Sequence, residues 1–149
     1  MNILYFSMSG NTRAFIRSLT AYAEKAHEED EKAPLIHATE ISDQTPPAQE
    51  TEPFAAFVPT YLDGGNGLDN GTDEIITNAL GEYIEFGTNA AQCVGIVGSG
   101  NKNFNWQYCL TAKQYAEKFA VPVLADYELR GTPTDTKRIY QILRETFKV

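Results

Sequence analysis

Ser7, Ser9 and Thr12, with Gly10 and Asn11 among them, are the residues of this chain best placed to do chemistry. Short hydroxyls offer neutral hydrogen-bond donors, and these follow an apolar stretch, Ile3 to Phe6. A helical periodicity comes next, with Phe15, Leu19, Tyr22 and Ala26 on one face. A turn between a strand and a helix receives the unpaired N–H groups of the first helical turn and the positive end of the helix dipole, a setting for an anion. The turn ends without the Gly-Lys-Ser/Thr of a P-loop, and G-x-G-x-x-G is absent. Ser7, Met8, Ser9, Gly10, Asn11 and Thr12 therefore suit a monophosphate held by neutral donors. Two other segments share this polar, small-residue character: Thr60 to Gly71, with Tyr61, Gly64, Gly65, Asn66 and Gly67, and Ser99 to Phe104, with Gly100, Asn101 and Asn103. Acids occur nearby (Asp63, Asp69, Asp73, Glu74), but none is paired with a histidine, so no catalytic side chain is expected.

Elements that position these segments alternate along the chain. Strands are expected at Ile3–Phe6, Leu35–Ile41, Phe54–Val58, Gln92–Gly98 and Val121–Leu129. Helices are expected over about residues 11–26, from Thr72 to about Phe86, and along a face carrying Trp106, Cys109, Ala112, Ala116 and Phe119. A last helix opens at Thr132-Pro133-Thr134-Asp135, which combines a capping hydroxyl, proline at the first helical position and an acid three residues after the cap. Its apolar face is Ile139, Ile142, Leu143 and Phe147. Ser42 to Pro53, with its prolines, reads as a loop. Strands alternating with helices require a parallel sheet with right-handed crossovers. The expected fold is α/β: a three-layer sandwich around a five-stranded parallel sheet of order 2-1-3-4-5, in one domain spanning 1–149. In that arrangement ligands bind beyond the carboxyl ends, at the switch between strands 1 and 3, where the three polar segments meet.

Composition removes several alternatives. The formal net charge of −8 argues against nucleic acid and against an anionic membrane surface. No apolar run approaches the roughly 18 residues of a membrane span. Met1-Asn2 leads directly into a strand, so no secretory signal is expected and the protein reads as cytoplasmic. Cys93 and Cys109 lie in apolar surroundings without metal or Cys-x-x-Cys spacing, as buried reduced thiols would. His27 and His37 lack ligand partners, and no metal site is expected.

Residues 7–12 resemble the Ser/Thr-x-Ser/Thr-Gly-Asn-Thr loop that grips the phosphate of FMN in flavodoxins. FMN's flat ring needs backbone donors at its polar edge and flat side chains on its faces, and Tyr61, Phe104 and Trp106 are candidates for the faces. The resemblance narrows further with Gly98-Ser99-Gly100-Asn101-Lys102-Asn103-Phe104, Val121-Pro122-Val123-Leu124 and Tyr127-Glu128-Leu129-Arg130-Gly131-Thr132. Together with Pro59-Thr60-Tyr61 and its glycines, these resemble the NrdI family, flavodoxin-like activators of class Ib ribonucleotide reductase. At Asn105-Trp106 the chain departs from the glycine and acid that many members carry.

That resemblance implies FMN as cofactor and the small, radical-bearing subunit of the reductase as partner, with an electron donor of unknown identity. It implies that superoxide from reduced FMN and oxygen reaches the subunit's metal centre to assemble the radical. Phosphate contacts would fall on Ser7 to Thr12, and ring-side contacts on Thr60, Tyr61, Gly64, Gly65, Asn66, Gly67, Ser99, Gly100, Asn101, Asn103 and Phe104. A general electron-transfer flavodoxin and a non-redox interaction protein on the same fold are the alternatives.

Overall fold

The computed structural model describes residues 1–60, 79–102 and 109–149. In chain order the elements are β1 (Asn2–Tyr5), α1 (Asn11–Glu29), β2 (His37–Glu40), β3 (Phe54–Pro59), α2 (Ala79–Glu85), α3 (Asn89–Gln92), β4 (Cys93–Gly100), α4 (Leu110–Phe119), β5 (Val123–Glu128) and α5 (Pro133–Phe147). The strands form one sheet of order β2-β1-β3-β4-β5 with every pairing parallel. The expected order is therefore the observed one.

Alternation along the strands sorts side chains onto two faces. Ile3 and Tyr5 of β1, Ala55 and Phe57 of β3, Val97 of β4 and Tyr127 of β5 pack with Phe15 and Leu19 of α1 and Ile139 and Leu143 of α5. Leu4, Phe54, Ala56, Val58 and Ile96 point the other way, against Leu80 and Ile84 of α2 and Ala112 of α4. Every residue of β3 is buried, as a central strand covered on both faces must be. Gly98 lets α4 approach the sheet: a Cβ there would lie 2.6 Å from the Ala112 Cβ.

Several boundaries differ from the sequence reading for local reasons. α1 runs three residues beyond Ala26, into the charged segment, before Asp30 turns extended. Strand β2 is confined to His37–Glu40, on the sheet's outer edge, where a single neighbour supports it. β5 stops at Glu128 because Leu129 adopts a left-handed conformation, φ 54°. Of the helix expected from Thr72, Ala79–Glu85 is helical, while residues 72–78 lie outside the described ones. The single-turn α3 had no sequence signal, being too short for a periodicity to register. At α5 the expected capping box is present, with Thr132 and Asp135 bonded reciprocally.

Candidate functional site

The parallel registers bring the carboxyl ends of β1, β3 and β4 to one edge, and that edge carries Ser7 to Thr12, Thr60 and Ser99 to Asn101. β1 ends at Tyr5, and the chain turns through Ser7, Met8, Ser9 and Gly10 into α1. Ser7 is buried and its Oγ accepts the Arg13 N–H at 3.2 Å. The first backbone bond of the helix runs from Ala14 N–H to the Gly10 carbonyl at 2.9 Å. The N–H groups of Asn11 and Thr12 precede that bond, so the helix itself offers them no acceptor. Gly10 supplies no capping side chain, and the first turn contains no acid to offset the dipole. Met8 and Ser9 are exposed, and Ser9 already has an interaction of its own.

Thr12 carries the most informative atom of the edge. It is 0 % exposed, and its Oγ1 has no hydrogen-bond partner. A buried hydroxyl left unmade costs roughly 1–3 kcal/mol, so such atoms are rare unless something else completes them. Gly10 beside it holds φ at 90°, a left-handed conformation that side chains disfavour. A Cβ built there would meet, within 4.0 Å among the described atoms, just Arg13 Nη1.

The first residues of the second and third segments, Thr60 and Ser99 to Asn101, are joined to the first through the sheet. Thr60 N–H donates to the Ser99 carbonyl at 2.9 Å, and Thr60 Oγ1 accepts the Thr111 N–H at 3.0 Å. Thr111, in the first turn of α4, is 1 % exposed and its own hydroxyl is likewise unpartnered. Ser99 is buried, Gly100 and Asn101 are half-buried, and the Gly100 carbonyl accepts the Leu129 N–H at 2.9 Å. The structure thus places Ser7, Met8, Ser9, Gly10, Asn11, Thr12, Thr60, Ser99, Gly100 and Asn101 along the carboxyl edge. Tyr61, Gly64, Gly65, Asn66, Gly67, Asn103 and Phe104, and Trp106 with them, lie outside the described residues.

Residues that the sequence reading did not single out complete the picture. Arg13 makes a two-pronged ion pair with Glu40, Nε and Nη2 each 2.8 Å from a carboxylate oxygen. Donation from Arg13 holds the Glu40 carboxyl below its ordinary range. Burial, followed by the charge and hydrogen bond of Glu40, pushes the Tyr5 hydroxyl up. A cation does therefore stand beside the phosphate-type turn, but a carboxylate already neutralises it. Glu40 lies 27 positions from Arg13, and no spacing rule joins them. Thr111 has a signal of the same kind as Thr12, a hydroxyl in a helix's first turn after a polar loop; it went unnoticed because the helix was expected to start earlier. Cys93 and Cys109 are both buried and neither is in a disulfide, and burial pushes the Cys93 thiol up. Among the described residues no group of His, Cys, Asp or Glu could hold a metal, and no helix is long and apolar enough to cross a membrane.

These features suit a phosphate monoester: a helix start without a side-chain cap, a buried unpartnered hydroxyl in its first turn, and a left-handed glycine permitting close approach. Fold and edge together define a flavodoxin-like protein. The likeness to solved structures is at the level of fold. A short-chain flavodoxin associated with a bacterial microcompartment superposes with TM-score 0.65 at 14% identity, covering 99% of this chain and 95% of its own. Oxidised flavodoxin 2 from Bacillus cereus gives 0.61 at 15% identity, covering 98% and 99%. Sequence resolves the family: the profile described as NrdI flavodoxin-like matches residues 3–141, and the chain belongs to that family. An NrdI-like protein of Streptococcus pyogenes is 48% identical over 143 residues, 96% of this chain and 91% of its own length. Protein NrdI of Bartonella tribocorum is 34% identical over 134 residues, 89% and 85%. The cofactor of such a protein is FMN, and its chemistry is redox.

Proposed function

We propose that this chain, as one FMN-binding domain spanning 1–149, provides a superoxide-type oxidant to the small subunit of class Ib ribonucleotide reductase for assembly of its radical cofactor. The observation that carries the FMN part is the buried Thr12 hydroxyl, unpartnered at an uncapped helix start. Ser7 to Thr12 would hold the phosphate, with Gly10 allowing close approach and Thr12 Oγ1 donating to it. Thr60, Ser99, Gly100 and Asn101 would border the ring, joined by Tyr61, Gly64, Gly65, Asn66, Gly67, Asn103 and Phe104. Bound and reduced, FMN supplies electrons to oxygen. The protein's own part is to hold the cofactor, limit its contact with water and present it to one partner. Reduction comes from a separate donor in the same compartment, which this reading takes to be the cytoplasm.

The test mixes metal-free small subunit, Mn(II), the reduced protein and oxygen, then measures tyrosyl radical by EPR and reductase turnover. Radical yield that depends on this protein, and that an ordinary flavodoxin cannot replace, is expected. Equal activation by an ordinary flavodoxin would favour general electron transfer instead. No radical despite confirmed binding would refute the activator reading.

A further inference from the structure

A second surface stands out by its charge. In a chain of net charge −8, a groove of about 450 Å³ between α1 and α5 is bordered by Lys25, Arg130 and Lys137 and by no carboxylate. Its floor includes Ala21, Tyr22 and Pro133, with Tyr22 braced edge-on against Tyr140 at 5.1 Å between ring centres. All three cations are exposed, and among the described residues none of them forms an ion pair. Among the described residues Arg130 makes one hydrogen bond, Nε to Asn11 Oδ1 at 3.3 Å, which sets this exposed side chain beside the phosphate-type turn. Two carboxylates close in sequence, Asp135 and Glu128, are engaged elsewhere, Glu128 by the Lys102 N–H at 2.9 Å. Asp135 is tied into the α5 cap and to Arg138 at 2.8 Å, and Glu24 lines a different groove, beside Arg17.

We infer that this groove docks an acidic segment of a protein partner, one whose carboxylates alternate with apolar side chains. A small phosphate fits the groove poorly, because the hydroxyls that would hold it beside the cations are already committed. Thr132 Oγ1 accepts from Asp135 N–H and donates to Asp135 Oδ2, while Thr136 Oγ1 donates to the Thr132 carbonyl. Asp135 thus fills the N-terminal end of α5, where an anion would otherwise sit. What remains is an apolar floor and three long cations at its rim, whose stems cover apolar surface while their heads reach solvent. That pattern matches a peptide with apolar anchors and flanking acids, for which burial gives affinity and charge gives approach and orientation. The inference stands apart from the reductase reading, since it names the chemistry of the segment and not the protein that carries it.

The test uses the isotope-labelled full chain with FMN, titrated with a synthetic peptide of alternating glutamate and leucine and observed by two-dimensional amide spectra. Saturable shifts confined to Ser18–Lys25, Arg130–Lys137 and the adjoining Asn11 are expected. Affinity should weaken roughly tenfold between about 25 and about 200 mM salt, because the rim is exposed and screened. The K25E/K137E double variant should lose the shifts while keeping its FMN content and the remaining spectrum, which separates lost docking from lost folding. No saturable shift at millimolar peptide would overturn the inference. So would equal shifts with polyglutamate, which lacks apolar anchors, or with adenosine monophosphate. Concentration-dependent shifts at the same residues without peptide would assign the groove to a second copy of this chain instead.

Discussion

The two ends of the sheet treat buried polar groups in opposite ways. At the amino end Asn89 is 0 % exposed and fully used. Its Oδ1 accepts from Gln49 Nε2 at 2.9 Å and Glu50 N–H at 2.6 Å, while its Nδ2 donates to the carbonyls of Ala48 at 2.9 Å and Tyr83 at 2.8 Å. One side chain thereby ties the loop before β3 to α2 and to the start of β4. At the carboxyl end Thr12 and Thr111 are as deeply buried, and neither hydroxyl has a partner. The helix starts repeat the contrast within that end, since α5 is closed by its capping box and α1 has no side-chain cap. Polar burial by Asn89 at the amino end is structural; at the carboxyl end the Thr12 and Thr111 hydroxyls are the groups that the proposed FMN site would complete.

Breaking the carboxyl end at its tightest point should give the largest effect. Gly10→Val places a branched side chain at φ 90° and blocks the approach of the phosphate. FMN content of the purified, folded protein should fall to background, read from visible absorbance beside an unchanged far-ultraviolet spectrum. At the amino end, Asn89→Ala should do the reverse. It strands two carbonyls and two donors, so urea unfolding should show a loss on the order of 3 kcal/mol, with FMN bound per folded molecule unaltered. Smallest is the pH effect of the Arg13–Glu40 pair. Because the folded Glu40 carboxyl is held low, its stabilisation is fully present above the ordinary carboxylate range and is lost as pH falls through the folded value. Both side chains are substantially exposed, so the contribution should stay under about 1 kcal/mol. Glu40→Gln should flatten that part of the stability profile below neutral pH.

The parts of this molecule that follow local rules were legible in its sequence. The turn at Ser7–Thr12, the capping box at Thr132–Asp135 and the apolar faces of α1 and α5 each depend on residues within a few positions of one another. The sheet order followed because alternating elements leave few topologies. The Gly10 left-handed conformation was partly visible: close approach suggested a glycine, but only the structure supplies φ. What escaped was long-range. Asn89 meets its loop partners across 39 to 41 positions, and Arg13 meets Glu40 across 27, with no periodicity to announce either. Sequence indicated a turn without positive charge, whereas the structure sets a neutralised arginine beside it.

Thr12→Val tests the claim about the carboxyl end most directly, because valine keeps the shape and removes only the hydroxyl. If Oγ1 is an incomplete group reserved for the FMN phosphate, the variant should move two quantities in opposite directions. Urea unfolding of the FMN-free protein should show stability raised by about 1 kcal/mol, since a buried orphan is gone. FMN titration should show Kd raised about tenfold, the equivalent of one lost neutral hydrogen bond. A less stable FMN-free protein with unchanged Kd would contradict the account, placing Thr12 with Asn89 among the structural groups.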